Sequence, residues 1–94
     1  MSREKYYKQA DILKGAANHY RVEILHLLAD DGDGLSTDVI VENLETNYQT
    51  GSHHIRKLVN AGLVKSWQKG RNRLHGLTEY GQSIITFLKT LKIN

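Results

Sequence analysis

Apolar residues recur every three or four positions through the first third of the chain, and this period predicts two helices. The first helix runs from about Glu4 to Ala17, and Asn18 is a candidate N-cap for the second. The apolar stripe of the first helix consists of Tyr6, Ala10, Leu13 and Ala17. The second helix ends in the run DDGDG at 30–34, because aspartate and glycine favour turns.

Two more helices follow, and each begins after a capping side chain. Ser36 caps a third helix with apolar positions at 39, 40, 41 and 44, and Asn47 caps a fourth that spans about Tyr48 to Asn60. In the fourth helix we expect Ile55, Leu58 and Val59 to point inward. Its other side is polar, so this helix buries one face and exposes hydrogen-bonding groups on the other.

The pattern then changes from helical to alternating, which predicts a β-hairpin. We expect strands from Leu63 to Lys69 and from Arg73 to Leu77, joined by a turn at 70–72. Trp67 is a large apolar side chain in the first of these strands, and we expect it to anchor the hairpin on the core.

These elements predict a mainly α protein with a small β-hairpin, an α+β fold. Thr78 caps a last helix over about 79–92, and a short strand at Gly34-Leu35 completes the small sheet. The expected order is α1-α2-(β1)-α3-α4-β2-β3-α5, which is that of a winged helix-turn-helix. A chain of 94 residues is expected to form one domain over residues 1–94.

Charge is distributed unevenly along the chain. Residues 1–47 contain five Lys or Arg and nine Asp or Glu, whereas residues 48–94 contain eight basic residues and one acid, Glu79. Such asymmetry points to a polyanionic partner more strongly than the formal net charge of +3 does. Phosphate neutralisation by clustered Lys and Arg supplies most of the non-specific affinity of proteins for DNA.

The polar edge of the fourth helix and the hairpin have the chemistry of a surface for double-stranded DNA. Gln49 can pair bidentately with adenine, and Arg56 can reach guanine or a phosphate. Lys65 is expected to share a strand face with the cations of the hairpin. The predicted DNA contacts are Gln49, Thr50, Ser52, His53, Arg56, Lys57, Lys65, Lys69, Arg71, Asn72 and Arg73. The alternatives are an ordinary solvated helix face and a charged turn that keeps the protein soluble.

Three segments resemble the ArsR/SmtB-like winged-helix transcriptional regulators, within the broader MarR- and PadR-like superfamily: HYRVEILHLLA at 19–29, TNYQTGSHHIRKLVNAGLV at 46–64 and KGRNRLHGLT at 69–78. Arg21 matches the arginine that opens the family's second helix, and Ser52, His54, Ile55 and Leu58 match its recognition helix. The resemblance covers roughly residues 10–90 and implies a DNA-binding transcriptional regulator, with repression as the expected direction.

The chain also departs from the family. Metal sensors of this family carry cysteine pairs in the third helix, or Asp/His and His/Glu pairs in the last helix, and neither set is present. We therefore expect no metal and no cofactor, while a small-molecule effector stays open without a visible site. Gly51 stands where the family has an apolar residue, which implies either a close approach to the DNA backbone or loose base reading.

The resemblance further implies a homodimer in which the first and last helices pair across a twofold axis. The predicted interface residues are Tyr6, Ala10, Leu13, Ile84, Phe87, Leu88 and Leu91. The alternative is that these side chains only cover the core of a small monomer. A twofold dimer would hold two recognition helices about 34 Å apart, one turn of the DNA.

Several function classes are disfavoured. The absence of cysteine excludes disulfides, thiolate metal sites and cysteine catalysis. No apolar run approaches the ~20 residues of a membrane span, and the charged N-terminus is not a signal peptide, so we expect a cytoplasmic protein. His53 and His54 diverge by about 100° on a helix and do not form a metal pair. Ser52 and His54 also diverge, and no third group orients the histidine, so we expect no enzyme.

Two hypotheses about function remain. The first is a dimeric, sequence-specific DNA-binding regulator that reads the major groove with helix 48–60 and clamps phosphates with the hairpin at 65–73. The second is a winged-helix module for protein interaction or DNA architecture, with only weak, non-specific DNA binding.

Overall fold

The computed structural model describes residues 2–93, and the elements of this range follow the predicted order. Their bounds are α1 Arg3–Ala16, α2 His19–Asp31, β1 Leu35–Ser36, α3 Thr37–Leu44, α4 Tyr48–Asn60, β2 Val64–Lys69, β3 Asn72–Leu77 and α5 Glu79–Leu88. None of the helices in residues 2–93 is both long and apolar enough to cross a membrane.

A polar side chain begins each of the five helices within residues 2–93 by satisfying free backbone N–H groups, with Ser2 in this role at α1. The Asn18 amide oxygen accepts from Tyr20 and Arg21 at the start of α2. Ser36, Asn47 and Thr78 accept in the same way at the starts of α3, α4 and α5. The predicted caps are therefore confirmed, and they set the helix starts in a chain without proline.

The three strands form one antiparallel sheet in the order β1-β3-β2. Lys69 pairs with Asn72, so the hairpin turn contains only Gly70 and Arg71. Gly70 has a φ of 62°, and a type II′ turn requires such a positive φ at the first of its two central residues. The predicted turn at 70–72 was one residue too long, and the predicted strand at Gly34-Leu35 was one residue too early.

The core lies where α2, α3, α4 and α5 meet the base of the sheet. Its fully buried large side chains are Ile24, Leu25, Ile40, Leu58, Leu63 and Ile85. The helix pair α3–α4 is followed directly by the hairpin, so the fold is the predicted winged helix-turn-helix with a mainly α, α+β composition.

Two expectations about burial and length were wrong. The last helix ends at Leu88 and not at 92, because the N–H and hydroxyl groups of Thr90 both donate to the Phe87 carbonyl and tighten the chain into a turn. Leu91 therefore lies beyond the helix. Val59 is 37% exposed, because the buried face of α4 consists of Gly51, Ile55 and Leu58, and Val59 lies at the edge of that face.

Gly51 has a packing role, which corrects both earlier interpretations of this glycine. It is buried in the contact between α3 and α4, and a Cβ atom placed on it would lie 2.5 Å from Cγ2 of Val41. Gly51 thus lets the two helices of the helix-turn-helix approach each other closely. It does not lie on the exposed edge of α4.

This contact gives a stability prediction. Substitution Gly51→Ala should lower the free energy of unfolding by about 1–2 kcal/mol, because overpacking against the stiff Val41 side chain outweighs the better helix propensity of alanine. When Val41 is also replaced by alanine, the overpacking is removed and only the better helix propensity of alanine at position 51 remains. The free energy of unfolding of Val41→Ala/Gly51→Ala should therefore exceed that of Val41→Ala alone. Urea unfolding of all four proteins measures this, and additive effects would contradict the proposed contact.

Candidate nucleic-acid interface

The sequence of α4 separates its buried side from a polar edge. Gly51, Ile55 and Leu58 face the interior, while Gln49 and His53 are exposed on the other side. Arg56 and Lys57 are also exposed, whereas Thr50 and Ser52 are half-buried. The predicted helix contacts therefore lie along one accessible edge, with Thr50 and Ser52 at its margin.

Arg21 fixes α4 to the two preceding helices. Its Nε donates to the Gly15 carbonyl at the end of α1 (2.6 Å), and its Nη1 donates to Nδ1 of His54 on α4 (3.0 Å). Because Nδ1 accepts this bond, the His54 ring is neutral. Burial, and next the positive charge of Arg21, lower the pKa of His54 from its usual 6.5. His54 therefore has a structural role, because it joins α4 to Arg21 of α2.

A groove of about 290 Å³ separates α4 from the hairpin. Arg56 of α4 and Arg73 of β3 line it together with Tyr48 and Ser52. Within residues 2–93, neither arginine forms an ion pair. Two unpaired guanidinium groups therefore border one groove, and an external anion can bind there.

His75 lies at the inner end of this groove, and the sequence analysis missed it. The ring is 4% exposed, with Nε2 bonded to the Thr37 hydroxyl (2.8 Å) and Nδ1 to the Ser66 hydroxyl (2.7 Å). Burial, and next Arg73, lower the pKa of His75. The only sequence signal was alternation along β3, where His75 falls on the same face as Arg73.

The tip of the hairpin extends the basic surface toward α3. Arg71, Asn72 and Arg73 line a second cavity of about 200 Å³ together with Tyr48 and the first residues of α3. Tyr48 borders both cavities and is 56% exposed. A phenol ring thus lies between the edge of α4 and the tip of the hairpin, and the sequence analysis did not single it out.

A shallow third cavity continues along α4. His53, Arg56, Lys57 and Asn60 line a depression of about 230 Å³. Arg56 belongs to this depression and to the groove, so the basic surface is continuous along the helix.

Lys65 does not join this surface, and the expectation that it shares a strand face with the cations of the hairpin was wrong for Arg73. Cross-strand partners lie on the same face of a sheet, and Arg73 pairs with Gln68, whereas Lys65 pairs with Gly76. Side chains alternate along a strand, so Lys65 points to the opposite face. There it borders a separate cavity with Trp67 and Gln82. Lys69, at the hairpin tip, has the same alternation as Lys65 and pairs with Asn72.

The predicted dimer residues divide into two groups. Tyr6, Leu13, Phe87 and Leu91 are each about half exposed, and Ala10 is also exposed. Ile84 and Leu88 are half-buried and pack on the core. The ammonium group of Lys8 lies 5.1 Å from the ring centre of Tyr80, so α1 and α5 are neighbours. Exposed apolar side chains are therefore present on both helices and on the segment that follows α5.

The two neutral histidines predict lower stability in acid. In the unfolded chain both rings take up a proton near their usual 6.5, whereas the folded rings do so only at lower pH. Their contribution to stability is therefore complete above about pH 6.5 and is lost as the pH falls through that value. Urea unfolding between about pH 8 and pH 6 should give a shallower pH dependence for His54→Gln than for the wild type.

The control for this experiment is His26→Gln. His26 on α2 makes no hydrogen bond within the described range 2–93, so this variant shows whether the loss of any histidine flattens the pH dependence. Equal slopes for the wild type and His54→Gln would contradict a neutral, hydrogen-bonded His54.

Comparison with known proteins identifies the family. The model for bacterial regulatory proteins of the arsR family matches residues 18–66, which contain the helix-turn-helix and the start of the hairpin. The HTH-type transcriptional regulator MJ1325 of Methanocaldococcus jannaschii is 39% identical over 67 residues, which are 71% of this chain and 74% of that protein.

Solved structures agree with the fold. HlyU from Vibrio cholerae N16961 matches with a TM-score of 0.84 and 26% identity, over 95% of this chain and 96% of that one. The homodimeric winged helix-turn-helix DNA-binding domain of Mb0332 from Mycobacterium bovis matches with a TM-score of 0.82 and 22% identity, over 96% and 84%. The chain therefore belongs to the arsR family of bacterial regulatory proteins, and it is a winged-helix transcriptional regulator rather than an enzyme.

Proposed function

We propose that the protein is a dimeric, sequence-specific DNA-binding repressor whose basic groove holds the duplex. The observation that carries the proposal is that Arg56 and Arg73, from two different elements, line one groove, and that no carboxylate within residues 2–93 pairs with either. Unpaired cations gathered on one surface are what a phosphate backbone requires.

The exposed edge of α4 suits the reading of bases in the major groove. Gln49 lies one residue inside the N-terminus of the helix, the end that enters the groove in helix-turn-helix proteins. Its amide can bind adenine bidentately, and Arg56 can bind guanine. Thr50, Ser52, His53 and Lys57 are proposed as further contacts along the same edge.

The hairpin suits a clamp on the sugar–phosphate backbone. Arg71 and Asn72 are exposed at its tip, and Arg73 connects the tip to the groove. Lys69 pairs with Asn72 at the tip and shares the strand face of Lys65, and we propose that its exposed, flexible side chain bends around the tip to the same phosphates. These contacts position the protein without specifying sequence.

The apolar surface over α1 and α5 suits a twofold dimer. Its large exposed side chains, Tyr6, Leu13, Phe87 and Leu91, are half exposed in one copy of the chain. Burial of such a surface is favourable by about 25 cal/mol for each Å² removed from water. The homodimeric state of the similar Mb0332 domain agrees with this proposal. A dimer would cover two half-sites and exclude other proteins from that DNA, and on this ground we propose repression.

A matched pair of charge substitutions tests the clamp. Each of Arg73→Gln and Lys65→Gln removes one positive charge, but only Arg73 lines the groove. We expect Arg73→Gln to reduce the log–log slope of DNA affinity against salt concentration by about 0.9, because one phosphate contact is lost. Lys65→Gln should leave this slope nearly unchanged. Fluorescence anisotropy with a labelled duplex measures both slopes, and equal losses would contradict the assignment of the groove.

Selection of bound sequences from a random DNA pool tests specificity and symmetry together. We expect a palindromic consensus with half-sites about 10 base pairs apart, since twofold dimers separate their recognition helices by one turn of the duplex. Gln49→Ala should weaken the preference at one position in each half-site, while Arg73→Gln should keep the consensus. A pool without enrichment, with specific affinity less than ~10³-fold above non-specific affinity, would instead favour an architectural or protein-interaction module.

A further inference from the structure

A cavity of about 370 Å³ lies on the face of the hairpin opposite to the groove. Its walls come from the end of α2, the loop before β1, the strands β2 and β3, and α5. Small-molecule sites in proteins are commonly pockets of about 300–1,000 Å³, and the volume of this cavity falls in that range. The cavity is separate from the proposed DNA surface, because Lys65 and Trp67 of β2 point into the cavity and away from the groove that Arg56 and Arg73 line.

Two glycines hold the Trp67 indole in the wall of this cavity. A Cβ atom on Gly34 would lie 2.6 Å from Cζ2 of Trp67, and one on Gly76 would lie 3.0 Å from Cη2. The outer edge of the indole therefore lies directly on bare backbone, where no other residue type fits without displacement. Trp67 is half-buried, so this fixed aromatic side chain offers an apolar surface to the cavity.

Two opposite charges border the same cavity and are both unpaired. Lys65 is two residues before Trp67 on the same strand face, and Asp33 belongs to the loop before β1. Within residues 2–93, neither side chain forms an ion pair, either with the other or with a third residue. The Gln82 side chain on α5 adds an amide without a hydrogen-bond partner in the same range.

We propose that this cavity binds a small zwitterion of the amino-acid type with an apolar side chain. Lys65 binds the carboxylate, Asp33 binds the ammonium group, and Trp67 packs against the apolar part. A ligand with only a negative charge would be repelled by Asp33, and a ligand with only a positive charge would be repelled by Lys65. A ligand that carries both charges pairs with both side chains, and the Gln82 amide can bond to either end.

The site is also placed to influence the hairpin. β2 contributes Lys65 and Trp67 to this cavity and Ser66, between them, to the groove on the other face. A ligand at Trp67 therefore contacts the strand that supports the basic surface. The cavity is a candidate for the effector site that the sequence alone does not reveal.

Fluorescence titration of the intact protein with three related probes tests the proposal. Trp67 is the single tryptophan of the chain, so its emission reports on this cavity. We expect L-phenylalanine to change the emission saturably below about 10 mM, with 3-phenylpropionate and 2-phenylethylamine at least about tenfold weaker. The two analogues each lack one of the charged groups.

Charge-neutral variants show which side chain binds which end. Lys65→Gln should weaken L-phenylalanine about tenfold without weakening 2-phenylethylamine, and Asp33→Asn should weaken L-phenylalanine without weakening 3-phenylpropionate. Lys89→Gln and Asp30→Asn serve as controls, because neither residue lines this cavity. Circular dichroism confirms that each variant is folded.

Absence of a saturable response to L-phenylalanine would overturn the proposal. Equal affinity for all three probes, or an unchanged affinity in both cavity variants, would overturn it as well. The titration contains no DNA, so failure here leaves the proposed DNA binding intact, and failure of DNA binding leaves this site intact.

Discussion

The polar edge of α4 depends on how firmly the remaining sides of this helix are held. Leu58 is fully buried in the core, and Gly51 lies against Val41 of α3. His54 accepts a hydrogen bond from Arg21, which joins α4 to α1 and α2. These contacts fix the rotation of α4 about its axis, and a rotation by one residue, about 100°, would turn the basic edge out of the groove.

The groove combines a neutral inner end with charged walls. His75 satisfies both ring nitrogens with hydroxyl groups and remains uncharged, whereas Arg56 and Arg73 have no carboxylate partner within residues 2–93. An acidic residue at the position of His75 would have paired with one of these arginines and weakened the attraction for phosphate. The bonds to Thr37 and Ser66 also connect α3 and β2 through β3, so the same imidazole supports the hairpin.

Local signals in the sequence predicted most of the fold. Capping side chains and helical periodicity act within one or two turns, and they gave the starts of α2, α3, α4 and α5 correctly. The family resemblance and the charge asymmetry then indicated the basic edge. The packing role of Gly51 and the buried position of His75 could not be predicted, because they depend on contacts between distant segments. Gly51 lies against Val41, and His75 is hydrogen-bonded to Thr37 and Ser66.

The error at Lys65 shows how one residue of register decides the face of a strand. A three-residue turn at 70–72 would pair Lys69 with Arg73 and place Lys65 on the face of the groove. The actual turn contains two residues, so Gln68 pairs with Arg73 and Lys65 lies on the other face. A shift by one residue moves every side chain of a strand to the opposite side, and turn length could not be read with that accuracy from the sequence.

This alternation has a consequence for regulation, because it gives one hairpin two chemically different faces. Arg73, Ser66 and His75 face α4, while Trp67 and Lys65 face α5 and the loop before β1. Neighbouring residues of β2 therefore contribute to two separate cavities, with only the thickness of one strand between them. A ligand changes DNA affinity to the extent that it binds one arrangement of the hairpin more tightly than another. Lys65, Ser66 and Trp67 are consecutive residues of β2, so a ligand that moves this strand on one face also moves it on the other.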